Sequence, residues 1–71
     1  MKIKVGSRVK YKMWGNIYAS GVVEEIEICK NRRERRGKKV EEVDTNEHPY
    51  GTLIFRNFRW CRFDEVESRF N

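Results

Sequence analysis

The sequence predicts an all-β domain of about five short antiparallel strands, forming a small barrel or sandwich with one short helical turn near the C-terminus. Three observations carry this. Apolar and polar residues alternate over short runs, the period of a half-buried strand. Gly, Pro and Asn punctuate the chain between those runs. No segment sustains the 3.6-residue period of an amphipathic helix. The chain has 71 residues. It therefore reads as a single domain over 1–71, near the lower size for folding without staples.

Each element has its own signature. In "RVKYK" (8–12), Val9 and Tyr11 share one face and Arg8, Lys10 and Lys12 the other. In "SGVVEEIEIC" (20–29), Val22, Ile26 and Ile28 face one way and Glu25 and Glu27 the other. Val23 breaks that alternation, which suggests a twist or bulge near Gly21. "KKVEEV" (38–43) is a weaker strand, while "TLIF" (52–55) and "FRWCRF" (58–63) are rich in residues that suit a pleated surface. Phe63 and Val66 stand three apart around Asp64, the spacing of one helical turn with Asp64 as its cap. Phe55, Trp60, Phe63 and Phe70 are expected in the core, and Phe58 could serve the core or the surface.

Charge is concentrated in "KNRRERRGKK" (30–39), where Lys30, Arg32, Arg33, Arg35, Arg36, Lys38 and Lys39 meet the single acid Glu34. The chain as a whole is +5, so everything outside this stretch sums to −1. The flanks are acidic: residues 24–47 together hold seven bases and eight acids. If the flanking strands pair, carboxylates stand at the base of the loop and cut its field beyond a Debye length of about 8 Å. The stretch is expected to be a mobile, solvated loop. Its alternative use is a phosphate-gripping arm, which would be sequence-blind because the run holds no aromatic for base stacking. A second basic set, Lys2, Lys4, Arg8, Lys10 and Lys12, reads as the polar face of an edge strand.

The order of the pieces, a "VGSRVKYK" strand, a Gly-containing loop, a long "GVVEEIEI" strand and a closing "FDEV" turn, resembles small SH3-like barrels. These include Tudor and KOW modules and the C-terminal barrel of UvrD-type helicases. More narrowly, the chain resembles the YorP-like family of small prophage-encoded proteins. The resemblance implies an SH3-like barrel of five short strands and a prophage origin. In such barrels loop aromatics line peptide grooves or methyl-lysine cages. By that resemblance Trp14, Tyr18 and Tyr50 are the candidate protein-binding surface, with Arg56 and Arg59 as polar neighbours. The bland alternative is that Trp14 and Tyr18 cap an open barrel end.

Several functions find no support in the residues. His48 is the single histidine, without a spaced ligand set for a metal. There is no phosphate-cradling glycine loop and no nucleophile beside a base. Cys29 and Cys61 form no CxxC pair and are expected to be free, buried thiols. The early "GxRV" strand and the His-Pro loop also resemble type II dihydrofolate reductases, whose tetrameric pore uses a Val-Gln-Ile-Tyr strand. Here Thr52-Leu53-Ile54-Phe55 stands in its place, lacking the Gln and the Tyr. The expectation is a cytoplasmic, monomeric, non-enzymatic binding module without a cofactor. Its partner would be a macromolecule, protein ahead of nucleic acid, and nothing in it spans a membrane.

Overall fold

The computed structural model describes residues 1–70. Its strands are β1 (Lys2–Lys4), β2 (Arg8–Trp14), β3 (Ile17–Ile28), β4 (Lys38–Val40), β5 (Glu42–Asp44), β6 (Gly51–Phe55), β7 (Trp60–Arg62) and β8 (Val66–Arg69). The class is all-β, as the alternation predicts. There are eight segments rather than about five for local reasons. The 38–43 run divides at Glu41, where β4 pairs with β3 and β5 turns away to pair with β1. Two short end strands, β1 and β8, are added to the five expected.

The main sheet runs β7-β6-β3-β2-β8, with β4 also on β3, and β1–β5 forms a separate two-stranded ladder. Every pairing is antiparallel. Among the described residues no ladder joins β7 to β8, so hydrogen bonds do not close the path into a barrel. The two sheets are stitched together instead. The Gly6 amide donates to Val23 O and the Val23 amide to Ser7 O, both at 2.8 Å.

β3 organises the domain: its first half pairs with β2 and its second half with β6 and β4. The register on β6 shifts between Val23 and Glu25, so the irregularity falls at Glu24 and not near Gly21. That bulge resolves the broken alternation. Val23 and Ile26 have opposite parity, yet both are fully buried. Glu27 still stands opposite Ile26, but it does not face solvent as expected, because the returning 30–39 loop covers its carboxylate.

The core comprises Ile3, Val9, Tyr11, Val23, Ile26, Val43, Leu53, Phe55, Cys61 and Phe63. At its centre the Tyr11 and Phe55 rings stack with centroids 4.4 Å apart. Burying each such large side chain contributes about 1.5–3 kcal/mol. Gly51 is required where β6 crosses Phe63, since a Cβ there would collide with the Phe63 ring and with Glu27 O. Cys29 and Cys61 are buried free thiols.

Two aromatics expected in the core lie outside it. Trp60 and Phe70 are both exposed. In β7 it is Cys61 that points inward, so alternation turns Trp60 and Arg62 outward. Phe70 lies beyond the end of β8, where its amide still donates to Arg8 O at 2.9 Å. The helical turn is present as a 3-10 turn, Phe63–Glu65, but Asp64 does not cap it. Glu65 does so by accepting the Arg62 amide at 2.8 Å, and the chain is strand again from Val66.

Candidate functional site

Two hairpins build the site. β2 ends at Trp14 and turns through Gly15-Asn16 into β3, with Trp14 opposite Ile17. Gly15 has φ +55, and glycine at the first central position is what a two-residue hairpin of this hand favours. A register shift between Lys12 and Trp14 turns the indole out of the sheet, leaving Trp14 63 % exposed.

The second hairpin joins β6 to β7. The Phe58 amide donates to Phe55 O, the Phe55 amide to Arg59 O, and the Arg59 amide to Asn57 Oδ1. Phe58 pays for the tightness with φ 68, the left-handed region that non-glycine residues rarely occupy, and is 89 % exposed. The turn brings Arg59 back across β2, where Nη1 lies 3.5 Å from Met13 Sδ.

Between the hairpins opens a cleft of about 420 Å³. Tyr11 and Met13 line it from the core side, Trp14 and Trp60 are its aromatic members, and Lys12, Arg59, Arg62 and Glu65 supply its charge. Trp60 carries two cations, with Arg35 Cζ 4.8 Å and Arg62 Cζ 5.4 Å from its ring centroid. The Tyr11 hydroxyl is buried without a hydrogen-bond partner. Burial pushes its pKa up, partly offset by the Arg59 guanidinium, whose approach falls short of hydrogen-bond geometry.

The basic loop is tied to this region. Arg36 pairs with Glu27 at 2.8 Å, Lys39 with Glu25 at 3.0 Å and Arg32 with Asp64 at 3.3 Å. Thr52 Oγ1 donates to Arg35 O at 2.7 Å, and Arg62 Nε to Arg32 O at 3.2 Å. Asn31 accepts the amides of Arg33 and Glu34, folding the tip on itself. Lys30, Arg33 and Lys38 have no ion-pair partner among the described residues.

Of the candidate protein-binding residues that the sequence singles out, the cleft gathers Trp14 and Arg59 only. Tyr18 is elsewhere, on β3 under the Lys10 ammonium at 4.9 Å. Tyr50 sits beside Pro49, Arg32, Arg62 and Phe63. Arg56 is anchored by its amide to Val22 O. Sequence reasoning missed Tyr11, Lys12, Met13, Trp60, Arg62 and Glu65. A signal for Trp60 was available: once Cys61 is taken as buried, strand alternation sends Trp60 outward.

A larger depression, about 630 Å³, lies over β1, β5 and β4. Its cations Lys2, Lys4, Lys38 and Arg69 face Glu42, Asp44 and Glu47, and its lining includes His48 but no Trp, Tyr or Phe. Mixed charge without an anchor pocket makes it the weaker candidate despite its size. Among the described residues no cluster of His, Cys, Asp or Glu could hold a metal ion, and no helix is long and apolar enough to cross a membrane. In β6, Thr52, Leu53 and Phe55 are buried, so they do not line an open strand face. No family, characterised protein or solved structure matches this chain.

Proposed function

We infer that this chain is a non-enzymatic, SH3-like binding module that engages an extended segment of a protein partner between Trp14 and Trp60. One observation carries the reading: both tryptophans of the chain line a single cleft, with arginines beside them. Trp and Arg are the residue types that dominate binding energy at protein interfaces. A 71-residue domain that leaves two indoles out of a small core forgoes burial that would have stabilised it. In this reading the module is monomeric and cytoplasmic, in keeping with the resemblance to small prophage barrels. The thiols lend no support to nucleophilic catalysis by cysteine. Burial, together with Glu65 and Asp64, pushes the Cys61 thiol far above its ordinary pKa, and burial raises Cys29 too.

A second reading, sequence-blind nucleic-acid binding through 30–39, gains from Arg35 lying over Trp60, which supplies the aromatic that the loop itself lacks. It loses more from the three loop cations already paired with carboxylates.

A pull-down from lysate with wild type, Trp14→Ala, Tyr18→Ala and Tyr50→Ala tests the main reading. Capture should vanish with Trp14→Ala and survive the two tyrosine substitutions. A partner retained in full by a folded Trp14→Ala protein would show that the cleft is not the surface.

A further inference from the structure

We propose that the segment taken by the cleft is acidic: an extended peptide that sets an apolar side chain against the indoles and its carboxylates against Lys12, Arg59 and Arg62. This rests on the cleft being the binding surface.

Charge makes the first argument. Three cations and one carboxylate line the cleft. Among the described residues no carboxylate lies within ion-pair distance of Lys12, Arg59 or Arg62. Glu65, the one acid present, is committed to the Arg62 amide. The Arg59 guanidinium meets hydrogen-bond geometry with a thioether sulfur, a weak acceptor, and approaches the Tyr11 hydroxyl without meeting it. An arginine so placed retains its capacity for a bidentate carboxylate.

The Tyr11 hydroxyl makes the second. It is a buried donor with no acceptor, in a native fold where such groups are nearly always satisfied. Burial keeps it protonated, so it offers a proton and needs an oxygen to accept it. A carboxylate drawing Arg59 aside would supply that oxygen. Cations and an unmet hydroxyl donor in one cleft select for an anionic acceptor.

A peptide suits the cleft better than a nucleic acid. Lys12, Arg59 and Arg62 would meet phosphates as well as carboxylates, but the loop cations that would extend a phosphate-binding track are held by Asp64, Glu27 and Glu25.

The test uses the full chain and three labelled peptide pools about twelve residues long. All share a central Leu, Phe or Trp, with flanks that are acidic, Ser/Gln or Lys/Arg. A single-stranded oligonucleotide of about twelve nucleotides is the fourth probe. At ~0.15 M salt the acidic pool should bind about tenfold tighter than the Ser/Gln pool, and the basic pool weakest. Arg59→Gln and Lys12→Gln should each shrink that advantage, weakening the acidic pool more than the Ser/Gln pool. Tyr11→Phe, with an undiminished melting temperature, should weaken the acidic pool about fivefold. Trp14→Ala should weaken all peptide pools alike. Equal binding of acidic and Ser/Gln pools, both lost with Trp14→Ala, would overturn the acidic preference and leave the cleft standing. Binding indifferent to Trp14→Ala, or none from any probe, would remove the cleft reading itself. An oligonucleotide that binds tighter than the acidic pool would reassign the surface to nucleic acid and overturn the proposal.

Discussion

Glu27, a carboxylate only 2 % exposed, holds the largely exposed Arg36 guanidinium: Nη2 lies 2.8 Å from Oε2, and Nε donates to Oε1 at 3.0 Å. The Oε2 contact is Coulombic, since it falls outside hydrogen-bond geometry. The same Oε1 accepts the Gly37 amide at 2.8 Å. One buried acid thus fixes the end of the basic loop, and the neighbouring Arg35 comes to rest over Trp60. The acidic flank does more than screen the loop. It sets where the arginines stand.

Removing that anchor should free the loop. Glu27→Ala leaves the Gly37 amide without its acceptor and is expected to cost about 1 kcal/mol, most of the Arg36 contribution being screened by solvent. For a domain this small, that is a fall of about 4–8 °C in melting temperature. Amides of 31–38 should exchange faster than in wild type.

Acid should release the loop in the same way. The Arg36 hydrogen bond holds the Glu27 pKa below its ordinary 4.5, against the opposing effect of burial. A depressed acid pKa contributes stability that is present above the unfolded value and lost as pH falls through the folded one. Loop amides should therefore keep their protection down to pH 4.5 and lose it progressively below, as hydrogen exchange can follow. Glu27→Gln should abolish that pH dependence.

Tyr11→Phe isolates the orphaned hydroxyl. The ring keeps its stack on Phe55 and only an unpartnered polar atom disappears. Thermal melting should show stability unchanged or raised by up to about 1 kcal/mol. A clear loss would mean that the hydroxyl has a partner in solution.

What was legible in the sequence was what local periodicity controls. Alternation in 8–12, the strand-favouring residues of 52–55 and the Gly15-Asn16 turn reappear as β2, β6 and the β2–β3 hairpin. The bulge at Glu24 was visible only as a broken alternation at Val23, because its position is set by pairing with β6. Burial of Glu27 was hidden, since its partners Arg36 and Gly37 come from the loop's return. The cleft was legible only in part. Trp14 and Arg59 announce themselves as turn residues, but their meeting with Trp60 depends on two hairpins folding toward each other. Nothing local encodes that.

The ion pairs of the loop carry a prediction for salt dependence. Were all seven cations on duplex DNA, log K against log salt would fall with a slope of about −6. Arg32, Arg36 and Lys39 are paired and Arg35 lies over Trp60, which leaves Lys30, Arg33 and Lys38. The slope should be about −3, with close to no association at ~0.15 M salt. A slope near −6 would show that phosphate strips the loop from its carboxylates.

The most direct test follows the two indole N–H resonances by NMR, one from Trp14 and one from Trp60. They are the only tryptophans in the chain, so each signal reports on the cleft. Titration with the acidic peptide pool should shift both indole signals together with the Tyr11 and Arg59 amides, while the Tyr18 and Tyr50 amides stay in place. Saturable binding that moves neither indole would contradict the claim that the cleft is where this protein meets its partner.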